Sequence, residues 1–158
     1  MGSIAGASVW EQALYDHLRN HVEREVDTLQ TYEHLAETTD SPAFAYVARL
    51  ILEDERRHHQ LLRDLAESIR IDASLSDEPT PIPDLGRFGA DREEIIEATK
   101  RLLEIEREDN RELDRLAGEL KDVKDTTLWE LIVRMLQADN MKHRRILEFI
   151  GDRAKKAR

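Results

Sequence analysis

Two carboxylate–imidazole pairs stand out in this chain. Glu55 and His58 are three residues apart, and Asp139 and His143 are four apart. Either spacing puts both side chains on one face of a helix. The first pair interrupts an apolar stripe of Phe44, Val47, Ile51, Leu62, Leu65 and Ile69 at its middle. Burying such groups without partners costs several kcal/mol, and a metal ion is the partner the pattern suggests. One helix cannot complete the coordination. Glu25 and Glu106 offer the missing carboxylates, each midway along a further apolar stripe. The carboxylates of Glu25, Glu55, Glu106 and Asp139 would balance two divalent ions and leave a neutral site. Without metal, such a cluster would repel itself and some members would take up protons. Oxygen-rich ligation with one imidazole per ion suits iron first, with manganese or zinc as alternatives. The plain alternative for Glu55 and His58 is an ion-paired helix surface touching Arg49 or Arg56.

The elements that would position these groups are four helices, at about 8–38, 41–71, 91–121 and 127–150. Ser8-x-x-Glu11 is a capping box, and the stripe Leu14, Leu18, Val22, Glu25, Leu29, Tyr32, Ala36 follows it. Ser41 followed by Pro42 starts the second helix. Asp91 is the expected cap of the third, whose stripe is Ile95, Thr99, Leu102, Glu106, Leu113, Ala117, Leu120. Thr127-x-x-Glu130 is a second capping box, and Gly151 is the expected stop of the fourth helix. Residues 1–7 and 151–158 read as flexible ends. The connection 72–90 contains Asp77–Gly86, which holds three of the four prolines and cannot be helix. Its 19 residues could reach about 60 Å when extended, enough to cross over and leave the second and third helices parallel. The short first and last connections predict antiparallel hairpins.

The chain also repeats itself. An offset of 81 carries Glu25 onto Glu106 and Ala36 onto Ala117, and an offset of 85 carries Val47 onto Ile132, His58 onto His143 and Leu62 onto Leu147. Apolar stripes alone would not match an inward Glu and an inward His. Two similar helical hairpins are expected, packed with approximate two-fold symmetry as a single all-α domain.

One inward Glu from each of two helices, joined by a Glu-x-x-His from another, resembles the ferritin-like superfamily, especially the rubrerythrin-type di-iron carboxylate four-helix bundles. Tyr32, seven residues after Glu25, also looks like the rubrerythrin first helix; it reads as a core residue that could support a ligating carboxylate. The resemblance covers about residues 8–150. It implies iron binding and oxidation, or peroxide reduction, at two metal ions held by Glu25, Glu55, His58, Glu106, Asp139 and His143. It implies O₂ or peroxide as co-reactant and a homodimer or larger homo-oligomer. Trp10 and Trp129, in first turns, are expected to pack at an interface or at a bundle end. The departure lies in the fourth helix. Glu55 maps onto Asn140, and Asp139 sits one residue earlier, about 100° away around the helix. Either Asp139 substitutes, or the second metal is weakly held, or the site is degenerate. The chain has no Cys, which excludes a rubredoxin-like iron knuckle, disulfides and thiolate chemistry. His21-x-x-x-Glu25 hints at a hemerythrin, but later helices lack the further histidines that family needs. His34 and His59 read as surface residues.

A net charge of −10 argues against nucleic acid as partner, and no apolar run approaches the length of a membrane span. A cytoplasmic location is the expectation. The competing reading is a metal-degenerate helical bundle with a structural or partner-binding role.

Overall fold

The computed structural model describes residues 4–83, 91–121 and 128–156, apart from the Glu25 side chain. These residues form four helices and no strand: α1 (Val9–Thr38), α2 (Pro42–Ala73), α3 (Arg92–Leu120) and α4 (Trp129–Lys156). The chain divides into two compact units, Met1–Asp84 and Leu85–Arg158, each a helical hairpin. The crossover expected between α2 and α3 runs through residues 84–90, which lie outside the described residues, as does Thr127 of the second capping box.

In the first unit the local signals act as expected. Ser8 caps α1, its hydroxyl accepting from the Glu11 N–H, and the Glu11 carboxylate returns the bond to the Ser8 N–H at 2.7 Å. Hydrogen bonding to the Ser8 side chain, and then to its backbone N–H, holds the Glu11 carboxyl below its usual range. Ser41 caps α2 by accepting from the Phe44 N–H, with Pro42 in the first turn. Ser41→Ala should therefore cost about 1 kcal/mol, read as a lower midpoint in urea with the slope unchanged. Residues 4–7, expected to be flexible, are held: the Ile4 N–H donates to Gln12 at 2.8 Å. Gly6, at φ 87°, lies so close to the Ala73 carbonyl that a Cβ there would sit 2.7 Å from the oxygen. This contact, with Arg56 bonded to Glu33 at 2.9 Å, fixes α1 and α2 as antiparallel. α2 ends with Leu75 in the left-handed region, φ 51°, where glycine is usual.

The seam of this hairpin differs in phase from the stripe read in the sequence. The buried residues of α2 are Ala48, Leu52, His59, Ala66, Ser68, Ile71 and Ala73, whereas Phe44 and Leu65 are exposed. Among the described side chains of α1, Leu18 and Ala36 are buried. Small residues dominate because two helices approach closely only where side chains are short. Larger apolar side chains such as Phe44 and Leu61 stay on the outer faces.

In the second unit α3 and α4 are likewise antiparallel. Arg92 donates to the Ala154 and Lys155 carbonyls at 2.7 and 3.0 Å, near one end, and Gln137 donates to Asp114 at 2.8 Å near the other. Arg92 thus satisfies carbonyls that the end of a helix leaves unpaired. Two expectations are corrected. Asp91 stands at the head of α3, but its side chain makes no cap bond; its backbone is already helical, which turns the carboxylate away from the first-turn N–H groups. α4 does not stop at Ile150 but continues through Gly151 to Lys156. Gly151 is a packing residue, buried against Thr99 of α3. The two hairpins share a register: Leu18 and Ala66 of the first are buried, and so are Thr99 and Gly151, which the offsets 81 and 85 carry them onto. Among the described residues no helix is long and apolar enough to cross a membrane.

Candidate metal centre

The expected ligands fall into two half-sites, one per hairpin. In the first, Glu55 Oε2 lies 3.7 Å from His58 Nδ1, with the Glu55 side chain half-buried and His58 exposed. Arg56 bonds Glu33 and not this pair. The Glu25 side chain lies outside the described residues.

His59, not His58, is the imidazole of the α1–α2 seam. It is 4% exposed, and its Nε2 stands 3.0 Å from the Val22 carbonyl oxygen. A carbonyl only accepts, so Nε2 carries the hydrogen. Arg63 approaches Nδ1 at 3.5 Å. The expectation of a surface His59 is therefore wrong. Neighbouring residues of a helix are about 100° apart, and the seam runs along the side of α2 that carries 59.

The half-site of the second hairpin is better formed. Glu106 of α3 and His143 of α4 face each other across the hairpin, Oε1 to Nδ1 3.4 Å, with the Glu106 side chain only 19% exposed. Both line an open groove of about 680 Å³ with Asp109, Glu112, Leu113, Leu116, Leu136, Asp139 and Asn140. Glu112 is paired with Arg115 at 3.3 Å, and Asp139 with Lys142 on its own helix. Glu106 is the groove carboxylate paired with the imidazole. Asn140 occupies the inward position: it is 5% exposed, and its side-chain oxygen has no hydrogen-bond partner among the described residues. Asp139, one position round the helix, is exposed.

As a donor set, Glu106, His143 and the Asn140 oxygen provide one anionic oxygen, one ring nitrogen and one neutral oxygen, which suit a divalent ion of intermediate hardness. The orphaned amide oxygen is the observation that fits a metal here, since a buried acceptor without a donor is stabilised by a cation. Among the described residues no three His, Asp or Glu side chains converge as a metal group. The prominence of Asn140 could have been read from the offset that carries Glu55 onto it. The pairing of Asp139 with Lys142, three residues on, is an ordinary helix-surface contact that gives no distinguishing signal. No protein-family model matches the chain, and no similar curated protein or solved structure was found.

Proposed function

We propose that the chain is a ferritin-like di-metal protein that binds and oxidises iron or reduces peroxide. The observation that carries this reading is the Glu106–His143 pair that faces across α3 and α4, with His58, which the offset of 85 carries onto His143, standing beside Glu55 on α2. Support comes also from the exposed outer faces of the hairpins, which carry residues such as Phe44, Leu61, Leu136 and Ile146. These are the residues a four-helix bundle, or a homo-oligomer, would cover. In this reading Glu25, Glu55, His58, Glu106, His143 and the Asp139–Asn140 position supply the ligands, and Asp139 would leave Lys142 to do so.

When bound, two iron ions supply the electrons that reduce O₂ or peroxide. The chain's own residues hold and orient. Glu106 and His143 supply a carboxylate and an imidazole from facing helices. The bond of His59 to Val22 fixes the turn of α2 that carries His58. Asn140 contributes an oxygen without charge, so the second hairpin neutralises less of a cation than the first, and its ion should be the weaker held.

Anaerobic Fe(II) titration, then O₂ or peroxide, tests this. Uptake should approach two ions per chain, with an absorbance change on oxidation, and Glu55→Ala should remove the tighter ion. Absence of Fe, Mn or Zn binding above background, with Glu55→Ala as stable as wild type, would leave the second reading: a bundle kept for structure or partner binding. That reading is favoured by Asp139, which is engaged by Lys142.

A further inference from the structure

The C-terminal half of α4 departs from the rest of the chain in charge. Residues 141–156 hold the cations Lys142, Arg144, Arg145, Arg153, Lys155 and Lys156 against the anions Glu148 and Asp152, in a chain whose net charge is −10. The helix dipole accounts for cations in the last turn only, and Arg145 stands about three turns before the end of α4. The buried Val133, Asn140, Gly151 and Ala154 mark the side of α4 that lies against α3. At about 100° per residue, half a turn round from them come Met141, Lys142, Arg145, Phe149, Arg153 and Lys156, away from both α3 and the groove. Met141 and Phe149 are each 52% exposed. The Arg153 guanidinium lies over the Phe149 ring, 5.2 Å from its centre. Lys142 bonds Asp139, and Lys155 takes Asp152 at 3.7 Å. Arg145, Arg153 and Lys156 are in no ion pair among the described residues.

Cations alone suit any polyanion. The two large apolar side chains set among them need a ligand that buries them as well. The face is also the back of a single helix, a ridge and not a groove, so it cannot seat a partner helix in the usual way. A flat surface meets a ridge along its length. We propose that this face of α4 docks on anionic lipid surfaces. The Lys and Arg stems then lie along the surface with their charges among the headgroups, and Phe149 and Met141 reach the boundary with the acyl chains. The acidic surplus of this hairpin lies on α3, about one helix diameter or 10 Å away. That is close to a Debye length in physiological salt, so it weakens the docking without cancelling it. The face holds none of the candidate metal ligands, and the proposal does not rest on the metal reading.

The test is sedimentation of the full chain with phosphatidylcholine vesicles, with and without phosphatidylserine. Wild type should sediment only with the phosphatidylserine vesicles at low salt, and should be released at about 1 M salt, where the Debye length is about 3 Å. Each Lys or Arg near such a surface is worth about fivefold in binding, so Arg145→Gln/Lys156→Gln should weaken partitioning about twentyfold. Phe149→Gln should weaken it several-fold and leave its salt dependence unchanged. All three side chains are exposed, so both variants should melt with wild type. No binding to phosphatidylserine vesicles at low salt overturns the proposal, as does binding that survives the double variant. If poly-glutamate binds as tightly as the vesicles do, and Phe149→Gln leaves both unchanged, the face takes an acidic polypeptide and not lipid. If light scattering without lipid finds an oligomer that the double variant dissolves, a second copy covers the face and the proposal falls.

Discussion

Asn140→Glu is expected to make the stability of the protein depend on metal. The residue is 5% exposed and lines the same groove as Glu106. A carboxylate placed there joins a second carboxylate in a poorly solvated spot, with one imidazole to share. An uncompensated buried charge of this kind costs about 3 kcal/mol or more, which for a chain of this size lowers the melting temperature by roughly 6–12 °C. The same carboxylate is the ligand that the repeat leaves out of α4. A divalent ion at a hundred times its dissociation constant restores about 2.7 kcal/mol by binding the folded state alone. The variant should therefore melt well below wild type in EDTA and close to it in excess Mn²⁺, and its stoichiometry should move toward two ions per chain. Wild type, whose amide needs no neutralising, should show a smaller metal-dependent shift. Scanning calorimetry with and without Mn²⁺ measures both. A variant that melts like wild type in EDTA, or gains no more from Mn²⁺ than wild type does, shows that Asn140 does not face a cation-binding groove.

The helices and the hairpins were legible because their signals are local. Ser8 with Glu11, and Ser41 with Pro42, act over three or four residues and are found at the helix starts they predict. The burial of Leu18, Ala36 and Thr99 followed from their stripes. What misled was the phase of α2. Phe44, Ile51 and Leu65 are large and draw the eye to one stripe, whereas the seam favours Ala48, Ala66 and Ala73, because close approach of two helices selects small side chains over greasy ones. A shift of one residue exchanged His58 for His59, and so moved the buried imidazole from a ligand candidate to a partner of the Val22 carbonyl. The inward choice between Asp139 and Asn140 was open for the same reason. Adjacent positions differ by about 100°, and only the facing helix decides which one is covered. Gly151 misled differently: a glycine near the end of an apolar stripe reads as a helix stop, and nothing local says that Thr99, far away in sequence, needs the space.

Gly151→Leu should be the most damaging single change in the second hairpin. A Cβ at this position would stand 2.9 Å from the Thr99 Cγ2 methyl and 3.6 Å from its Cβ. Thr99 cannot readily turn aside. It is β-branched and in a helix, which restricts its χ1, and its hydroxyl donates to the Ile95 carbonyl at 2.7 Å. The end of α4 cannot easily lift either, since Ala154 is fully buried and Arg92 binds the Ala154 and Lys155 carbonyls. Replacing a helical glycine returns at most about 1 kcal/mol of backbone propensity. Overpacking by a full leucine exceeds that, with a net loss of about 2–3 kcal/mol, or roughly 4–12 °C in melting temperature. The first hairpin carries Leu18 and Ala66 at the matching positions, so an alanine is tolerable where its neighbour leaves room. Gly151→Ala should accordingly be near neutral in the wild-type background and stabilising once Thr99→Ala has removed the methyl, with a coupling of about 1 kcal/mol between the two sites. Urea denaturation of the four variants of that cycle gives the coupling directly. Additive effects at 99 and 151, or a Gly151→Leu protein as stable as wild type, would show that α4 does not press on α3 at this point and that the helix ends where the glycine first suggested.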